Sequence, residues 1–316
     1  MGRANWQCGA GAEGRGVIEL GIQAVLNLHR EWLEGREGGR RAVLTGQSFN
    51  DAALQGANLQ KAGLRQTSWL EADLSAADLS GAELESADFR RATLSEADFS
   101  EAQMLGVRLE EAWMTRAQFA DARLQTCLFN GVSAAETRWM GAELLQCDFS
   151  HARLPGAAFH QARLFECNFS GSDLDSAVFY HARLQLCRLC GAVLSSANFG
   201  LARLLTCDFH AATMDFARLS RADLTRSQFD RASMQECDFR EAKLTGASFT
   251  RAVLCGSRFG EADLSLADLR GANLRGACEL TAAQLMAART DDRTILPDGR
   301  RGPYLKGSGA ESPRRR

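Results

Sequence analysis

The chain has 316 residues, of which 45% are hydrophobic and 24% charged, and its formal net charge is −2. A net charge this close to zero does not indicate a general nucleic-acid binder. No stretch approaches the roughly 18 apolar residues that a membrane span requires, and the N-terminus lacks the apolar segment of a secretory signal. Ten cysteines without such a signal indicate reduced thiols. We therefore expect a soluble, cytoplasmic protein.

The N-terminal segment, residues 1–41, contains a predicted helix at about residues 17–34. Its apolar residues recur at helical spacing on one face, which also carries His29; they are Ile18, Ile22, Val25, Leu26 and Leu33. We expect this helix to cap the structure that follows, because an uncovered β-sheet end exposes unpaired edges. His29 is interpreted as a packed residue of the cap and not as a catalyst.

Residues 42–277 follow a five-residue rule without an insertion. Of the 47 positions at five-residue spacing from Leu44 to Leu274, 46 are Leu, Phe, Met or Trp, and Ala134 is the exception. The position two residues earlier is small in 46 of 47 units, with Gln47 the exception. This period fits neither a helix nor a long alternating strand. It fits short extended pieces that turn every five residues and pair their backbones between successive coils.

The repeats resemble those of a known family. Runs such as Ala72-Asp73-Leu74 and, near the far end, Asn273-Leu274 are similar to the A(D/N)LXX signature of pentapeptide-repeat proteins, over about three quarters of the chain. The resemblance implies an all-β, right-handed quadrilateral β-helix of about 12 coils, with four pentapeptides in each coil. Residues 20 apart then stack, so that two opposite walls of the core are aromatic.

The same stacking places five cysteines in one inward column. They are Cys127, Cys147, Cys167, Cys187 and Cys207. We interpret them as buried thiols that serve as small core residues, because stacked side chains that point the same way have poor disulfide geometry. In the unit of Ala134, which lacks a large core residue, we expect the indole of Trp139 to fill the space; a kink or bulge is the alternative.

The C-terminal region is predicted to hold a second cap and a tail. Residues 278–297 form the capping segment, with Thr281 as the N-cap of a short helix. Residues 298–316 are rich in Gly, Pro and Arg and are predicted to be a disordered basic tail.

The chain contains no recognisable catalytic constellation. The four histidines of the array fall at outward positions without a Ser or Cys partner in register, and neither a phosphate loop nor a zinc-ligand spacing occurs. We therefore predict that the protein is not an enzyme and holds no metal or cofactor.

One outward surface is predicted to bind a partner. Apolar side chains collect there beside a column of arginines, which is typical of an interaction site; the residues are Arg123, Leu145, Arg163, Phe165, Arg183, Leu186, Arg203 and Leu205. The alternative is that the arginine stems cover the apolar side chains and that Glu143 and Glu166 neutralise the charge.

Two functions remain open from the sequence. The first is a non-enzymatic, rigid bacterial scaffold that binds a protein partner or a second copy, with no nucleic acid or membrane. The second is implied by the resemblance, since some members mimic DNA and protect a type II topoisomerase such as gyrase, conferring toxin or antibiotic resistance. The candidate acidic surface is Asp73, Asp78, Glu83, Asp88 and Asp98, within a stretch from Glu71 to Glu111 that has eleven acidic residues and three arginines. Its confinement to one end of the array and the absence of projecting loops disfavour this second function.

Overall fold

The computed structural model describes residues 12–313, and within the first helix it describes side chains only from Gly21 onward. The side chain of Ile18 and residues 314–316 of the predicted tail therefore lie outside the described residues. The chain divides into two compact units, Met1–Asp148 and Phe149–Arg316, whereas the sequence predicted one array over 42–277. Each unit contains a stretch of parallel β-solenoid.

The solenoid has a 20-residue register within each unit. In the first unit, residues 20 apart form parallel bridges on four sides of a coil, as in Val43 with Gly63 and Ser48 with Ser68. One side has strands of three residues, β1 (Glu83–Glu85), β2 (Gln103–Leu105), β3 (Arg123–Gln125) and β4 (Glu143–Leu145). The corresponding strands of the second unit are β5 (Arg163–Phe165), β6 (Arg183–Gln185) and β7 (Arg203–Leu205). The predicted register is confirmed, but the sequence predicted about 12 coils in one array, whereas each unit contains about six or fewer.

A coil turns a corner two residues after a large core residue. The corner residue has left-handed backbone in most repeats, as in Glu71 (φ 58°) and Gly81 (φ 63°). L-residues seldom adopt this conformation because the side chain crowds the carbonyl. The corner is held by pairing with the next coil, since the N–H of Glu71 donates to the carbonyl of Arg90 at 3.1 Å. The interval of five residues is thus the distance from one corner to the next.

The core consists of stacked side chains, as the spacing predicted. In the first unit Phe99 stacks on Phe119 with ring centroids 4.9 Å apart. In the second unit Phe159 stacks on Phe179 at 4.8 Å and meets Phe169 of the opposite wall edge-on at 6.0 Å. These rings are fully buried. Offset and edge-on ring pairs add about 0.5–1.5 kcal/mol each to the burial of the rings, so the two aromatic walls stabilise each unit.

Among the described residues two tryptophans are buried, and each has a threonine partner that the spacing of the repeats did not predict. The indole N–H of Trp139 donates to Thr137 Oγ1 at 2.9 Å, and this hydroxyl donates to the carbonyl of Ala134 at 3.0 Å. Trp69 and Thr67 repeat the arrangement at 2.8 Å. Trp139 also stacks on Phe119 at 4.0 Å. The bridges on either side of Ala134 keep the 20-residue register, so the coil has no bulge there.

The predicted column of cysteines is buried in both units. The thiols lie near carbonyl groups of their own and the preceding coil; Cys207 Sγ, for example, is 3.5 Å from the carbonyl oxygen of Leu184. Cys190, which faces outward, is only half-buried. Among the described residues no group of three or more His, Cys, Asp or Glu side chains has an arrangement that would hold a metal ion.

The N-terminal helix, α1 (Ala12–Leu33), begins earlier than the predicted residue 17. His29 is fully buried, and both of its ring nitrogens have backbone partners. Nδ1 accepts from the N–H of Ala42 at 3.0 Å, and Nε2 lies 2.9 Å from the carbonyl oxygen of Gln60. The ring also stacks on Trp32 at 5.6 Å. His29 therefore joins α1 to the first coils of the solenoid.

The C-terminal helix, α2 (Ala282–Ala287), begins after Thr281, the predicted N-cap. Thr281 and Gln284 form a capping box, and the Gln284 amide donates to the carbonyls of Phe259 and Ala262 at 2.8 and 2.9 Å. Asp291 then accepts from the N–H of Gly271 at 2.8 Å. The segment thus supplies partners for backbone groups of the last coils, which have no further coil to pair with.

The structure differs from the sequence prediction at the tail. As far as residue 313, the segment predicted to be disordered packs back on the C-terminal cap: Ile295 forms an antiparallel bridge with Arg301, and Tyr304 and Ala310 are buried. The Tyr304 hydroxyl also lies 3.0 Å from a carboxylate oxygen of Glu311. The composition of the tail concealed these few apolar anchors. Among residues 12–313 no helix combines the length and apolar character needed to cross a bilayer.

Candidate partner-binding surface

The strands β5, β6 and β7 place three arginines of the predicted stripe side by side. Arg163 lies opposite Arg183, and Arg183 lies opposite Arg203, in consecutive parallel pairs. Because neighbouring strands are about 4.8 Å apart, the three side chains leave the solenoid close together and are exposed. We call this surface, with Phe165, Leu186 and Leu205, the arginine face.

Two of the three guanidinium groups lack a carboxylate partner. Among the described residues, neither Arg183 nor Arg203 has an ion pair within 4 Å. In the first unit, by contrast, Arg123 lies opposite Glu143, and the two side chains approach to 3.8 Å. Like charges on adjacent strands repel each other, so Arg183 and Arg203 would gain from an external anion.

The arginine face also carries apolar side chains in contact with solvent. Phe165 is 36% exposed and Leu186 is 43% exposed, while Leu205 is half-buried. Leu186 is a corner residue with left-handed backbone, φ 55°. A large apolar side chain at an exposed corner gains little energy from burial, and its residue still adopts the unfavourable left-handed backbone conformation. Folding alone therefore does not explain a large apolar side chain at this corner.

The remaining stripe residues, Arg123 and Leu145, belong to the first unit. They lie on β3 and β4, where Gln125 is the register partner of Leu145. Leu145 is half-buried, and Arg123 has the carboxylate partner already described. These two residues therefore offer less free charge and less apolar surface than the arginine face does.

The structure does not bring the five predicted acidic residues onto one side. Asp73, Asp78, Glu83 and Asp88 follow each other at five-residue spacing and so occupy four successive sides of a coil; only Asp98 shares a side with Asp78. The sequence contained this signal, because 20-residue stacking places residues five apart on different sides. The set forms a belt around the solenoid of the first unit.

Part of this acidic belt is neutralised. Glu83 approaches Arg41 to 2.9 Å and Arg65 to 3.3 Å, and hydrogen bonding by Arg41 holds the pKa of Glu83 below its usual range. Asp88 pairs with Arg90 at 2.6 Å. Asp78 and Asp98 accept hydrogen bonds from the backbone N–H two residues later, at 2.9 and 2.8 Å. Their carboxylates therefore have structural partners in the repeat.

The small net charge of the whole chain conceals two oppositely charged units. Met1–Asp148 has 14 Lys and Arg residues against 21 Asp and Glu, a net charge of −7. Phe149–Arg316 has 23 against 18, a net charge of +5. The arginine face thus lies in the basic unit, where the net charge of the unit adds to the positive potential of the local arginines.

Comparison with known proteins gives a family match and several similar structures. The family model for pentapeptide repeats matches eight copies, over residues 57–95, 92–131, 142–179, 172–204, 207–246 and 247–278. HetL, involved in heterocyst differentiation regulation in Nostoc sp. strain PCC 7120, is 22% identical, with 86% of this chain and 96% of that chain covered and a TM-score of 0.37. QnrB1, a plasmid-mediated fluoroquinolone resistance protein, is 18% identical, with 58% and 87% covered and a TM-score of 0.29. A pentapeptide repeat protein of the Arabidopsis thaliana thylakoid lumen is 22% identical, with 36% and 79% covered and a TM-score of 0.27. At these values the likenesses do not indicate a function, and no curated protein matches.

Proposed function

Because the chain belongs to the pentapeptide-repeat family, we propose that it is a non-enzymatic interaction module whose arginine face binds an acidic protein surface. The solenoid supplies a rigid frame, since its core rings and backbone bridges fix the direction of outward side chains. The partner presents carboxylates to Arg183 and Arg203 and an apolar side chain to Phe165 and Leu186. No covalent chemistry is needed for this role.

The observation that carries the proposal is the combination of unpaired charge and exposed apolar area on β5–β7. Arg183 and Arg203 have no ion pair among the described residues, and Phe165 and Leu186 stand beside them in solvent. Protein interfaces are enriched in arginine and aromatic side chains, because both kinds of side chain anchor a partner strongly.

A double variant, Phe165→Ser with Leu205→Ser, tests the proposal. Full burial of a large apolar side chain contributes roughly 1.5–3 kcal/mol. Because Phe165 is 36% exposed and Leu205 is half-buried, only part of this energy is gained on binding, and losing both should weaken binding roughly tenfold to a hundredfold. The wild type and variant are compared by affinity capture from cell extract with quantitative mass spectrometry, and by analytical ultracentrifugation, which detects a second copy of the chain as the partner. The matched control is Val193→Ser with Met286→Ser, because these side chains are also exposed in the second unit, at 40% and 54%, but lie outside the arginine face.

The expected result is that the control retains every protein captured by the wild type and that the arginine-face variant loses one or more of them, or loses self-association. Identical capture and identical sedimentation of all three proteins would refute the proposed surface. Circular dichroism of the variants checks that the solenoid is intact.

The alternative of a DNA-mimicking protector of a type II topoisomerase is not favoured by a specific observation. The five acidic residues that this alternative requires lie on all four sides of the solenoid, and two of them, Glu83 and Asp88, have arginine partners. We expect no effect of the protein at micromolar concentration on gyrase supercoiling, with or without a quinolone poison. Protection of gyrase in this assay would favour the alternative.

A further inference from the structure

The second unit has a groove away from the arginine face, near its C-terminal cap. It has a volume of about 520 Å³ and is lined by residues of four successive coils and of the segment after α2. We propose that this groove binds a small ligand carrying two or more phosphoryl groups. The proposal concerns a site separate from the proposed function and does not depend on it.

Arginines from different parts of the chain converge on the groove. Arg231 and Arg251 occupy equivalent corners of adjacent coils, both with φ 59°. The corner N–H groups donate to carbonyls of the next coil, Arg231 to Thr250 at 2.9 Å and Arg251 to Arg270 at 3.0 Å, so the backbone of both residues is held by pairing between coils. Arg293 enters from the segment that follows α2. All three side chains are exposed.

These three guanidinium groups have no counter-ion in the part of the chain that the structure describes. None of Arg231, Arg251 and Arg293 lies within 4 Å of a carboxylate oxygen there. The fourth arginine of the groove, Arg270, differs because it pairs with Asp268 at 2.5 Å. A ligand that reached the groove would therefore meet three cations that are not already neutralised by an ion pair.

The two carboxylates that line the groove already have structural partners. Asp230 accepts from the hydroxyl of Ser248 at 2.6 Å and from the hydroxyl of Thr250, both on the next coil. Asp291 accepts from the N–H of Gly271 at 2.8 Å, where another coil would otherwise supply a carbonyl, and from the N–H groups of Arg293 and Thr294. Both carboxylates are needed to join coils or to close the last one. These structural roles explain why the two carboxylates are present, so neither of them has to serve as a counter-ion of an arginine.

Room for a ligand is left at the third corner. Gly271 follows Arg251 by one coil and has φ 69°, so a side chain there would be strained. A Cβ atom at this position would also lie 3.3 Å from Cγ of Arg251. The stem of Arg251 therefore lies against Gly271, where a side chain on residue 271 would displace it.

The charges and shape favour a phosphoryl ligand over a carboxylate. Guanidinium groups bind phosphate oxygens with two parallel hydrogen bonds, and three of them are available. A single carboxylate would neutralise one, whereas a diphosphate has enough charge and oxygen atoms to engage all three. The groove is open and polar, so it fits a hydrophilic ligand and not an apolar one.

Isothermal titration with inorganic pyrophosphate tests the proposal. We expect saturable binding to the wild type, and a loss of affinity of at least about tenfold in the double variant Arg231→Gln with Arg251→Gln. Arg293→Gln, which leaves the solenoid coils untouched, should also weaken binding. The matched control is Arg218→Gln with Arg258→Gln, which removes the same charge from exposed arginines of the same unit outside the groove.

Competition between pyrophosphate and sulfate at the same ionic strength distinguishes a site for several phosphoryl groups from general attraction of anions. The proposal predicts that sulfate competes poorly and that the control double variant binds pyrophosphate like the wild type. Equal weakening by both double variants would mean that only net charge matters and would overturn the proposal. Absence of pyrophosphate binding to the wild type at millimolar concentration would overturn it as well.

Discussion

His29 offers a test of how the N-terminal helix is attached to the solenoid. Nδ1 accepts the N–H of Ala42, so it must be unprotonated, and Nε2 carries the proton that is donated to the carbonyl of Gln60. Replacement of His29 by Phe keeps a ring of similar size against Trp32 but removes both hydrogen bonds. Ala42 is almost fully buried, so its N–H cannot turn to water instead.

The expected cost follows from that one buried donor. A buried polar group without a partner costs about 1–3 kcal/mol, whereas the carbonyl of Gln60 belongs to a half-buried residue and can reach water. A cost of about 2 kcal/mol corresponds to a roughly 30-fold larger equilibrium constant for the opening of α1 from the first coil, and hence to roughly 30-fold faster hydrogen exchange through this opening. Hydrogen exchange with mass spectrometry, on peptides covering residues 22–44, measures this opening directly.

The same contact should respond to pH in the wild type. Burial, followed by the charge of Arg41, lowers the pKa of His29 below its ordinary value. The unfolded segment therefore binds a proton first as pH falls, and the attachment of α1 weakens below about pH 6.5. His29→Phe has no such group, so its exchange, corrected for the intrinsic rate, should not change between about pH 7.5 and about pH 5. Equal pH dependence in both proteins, or unchanged exchange in the variant at neutral pH, would contradict this account.

Two further predictions concern the core. Thr137→Val should destabilise the first unit by about 1–3 kcal/mol, because it leaves the buried indole N–H of Trp139 without an acceptor. Urea denaturation measures the loss of stability, and the added substitution Trp139→Phe should recover part of that stability. In the native protein, iodoacetamide should alkylate Cys190 well before Cys237. Burial raises the pKa of the Cys190 thiol to about 11 and raises the pKa of the Cys237 thiol further, so Cys237 forms less of the reactive thiolate. Peptide mass spectrometry measures the order of alkylation, and equal rates would show that the inward column opens readily.

The inward positions were the most predictable part of the molecule. Large residues at five-residue spacing fix which side chains are buried, and Phe159 and Phe179 lie in the core as their spacing required. Thr281 was recognisable as an N-cap because its hydroxyl has a fixed geometric role at a helix start. These features depend on local rules that repeat along the chain, and the sequence alone was therefore sufficient to predict them.

The outward positions were harder to predict, because the repeat leaves them free. The five acidic residues were grouped by closeness in sequence, but a five-residue step moves the chain to the next side of the coil. Thr137 was counted as one more small residue, and its role became visible only with the indole of Trp139 placed beside it. Tyr304 and Ala310 are buried in a segment whose overall composition is that of a tail, so composition alone did not reveal them.

The corners provide the best physical guide to function in such a protein. Most non-glycine corner residues are polar or small, which suits an exposed site with left-handed backbone. Four are large and apolar, Leu186, Leu201, Phe216 and Leu266, and all of them belong to the second unit. A corner leucine contributes little to the core and has an unfavourable backbone conformation of about 1–2 kcal/mol, so folding alone gives no reason for it. The second unit also has the net positive charge, the arginine face and the groove with three unpaired arginines. Because these features are concentrated in the second unit, we expect the proposed binding functions to lie there.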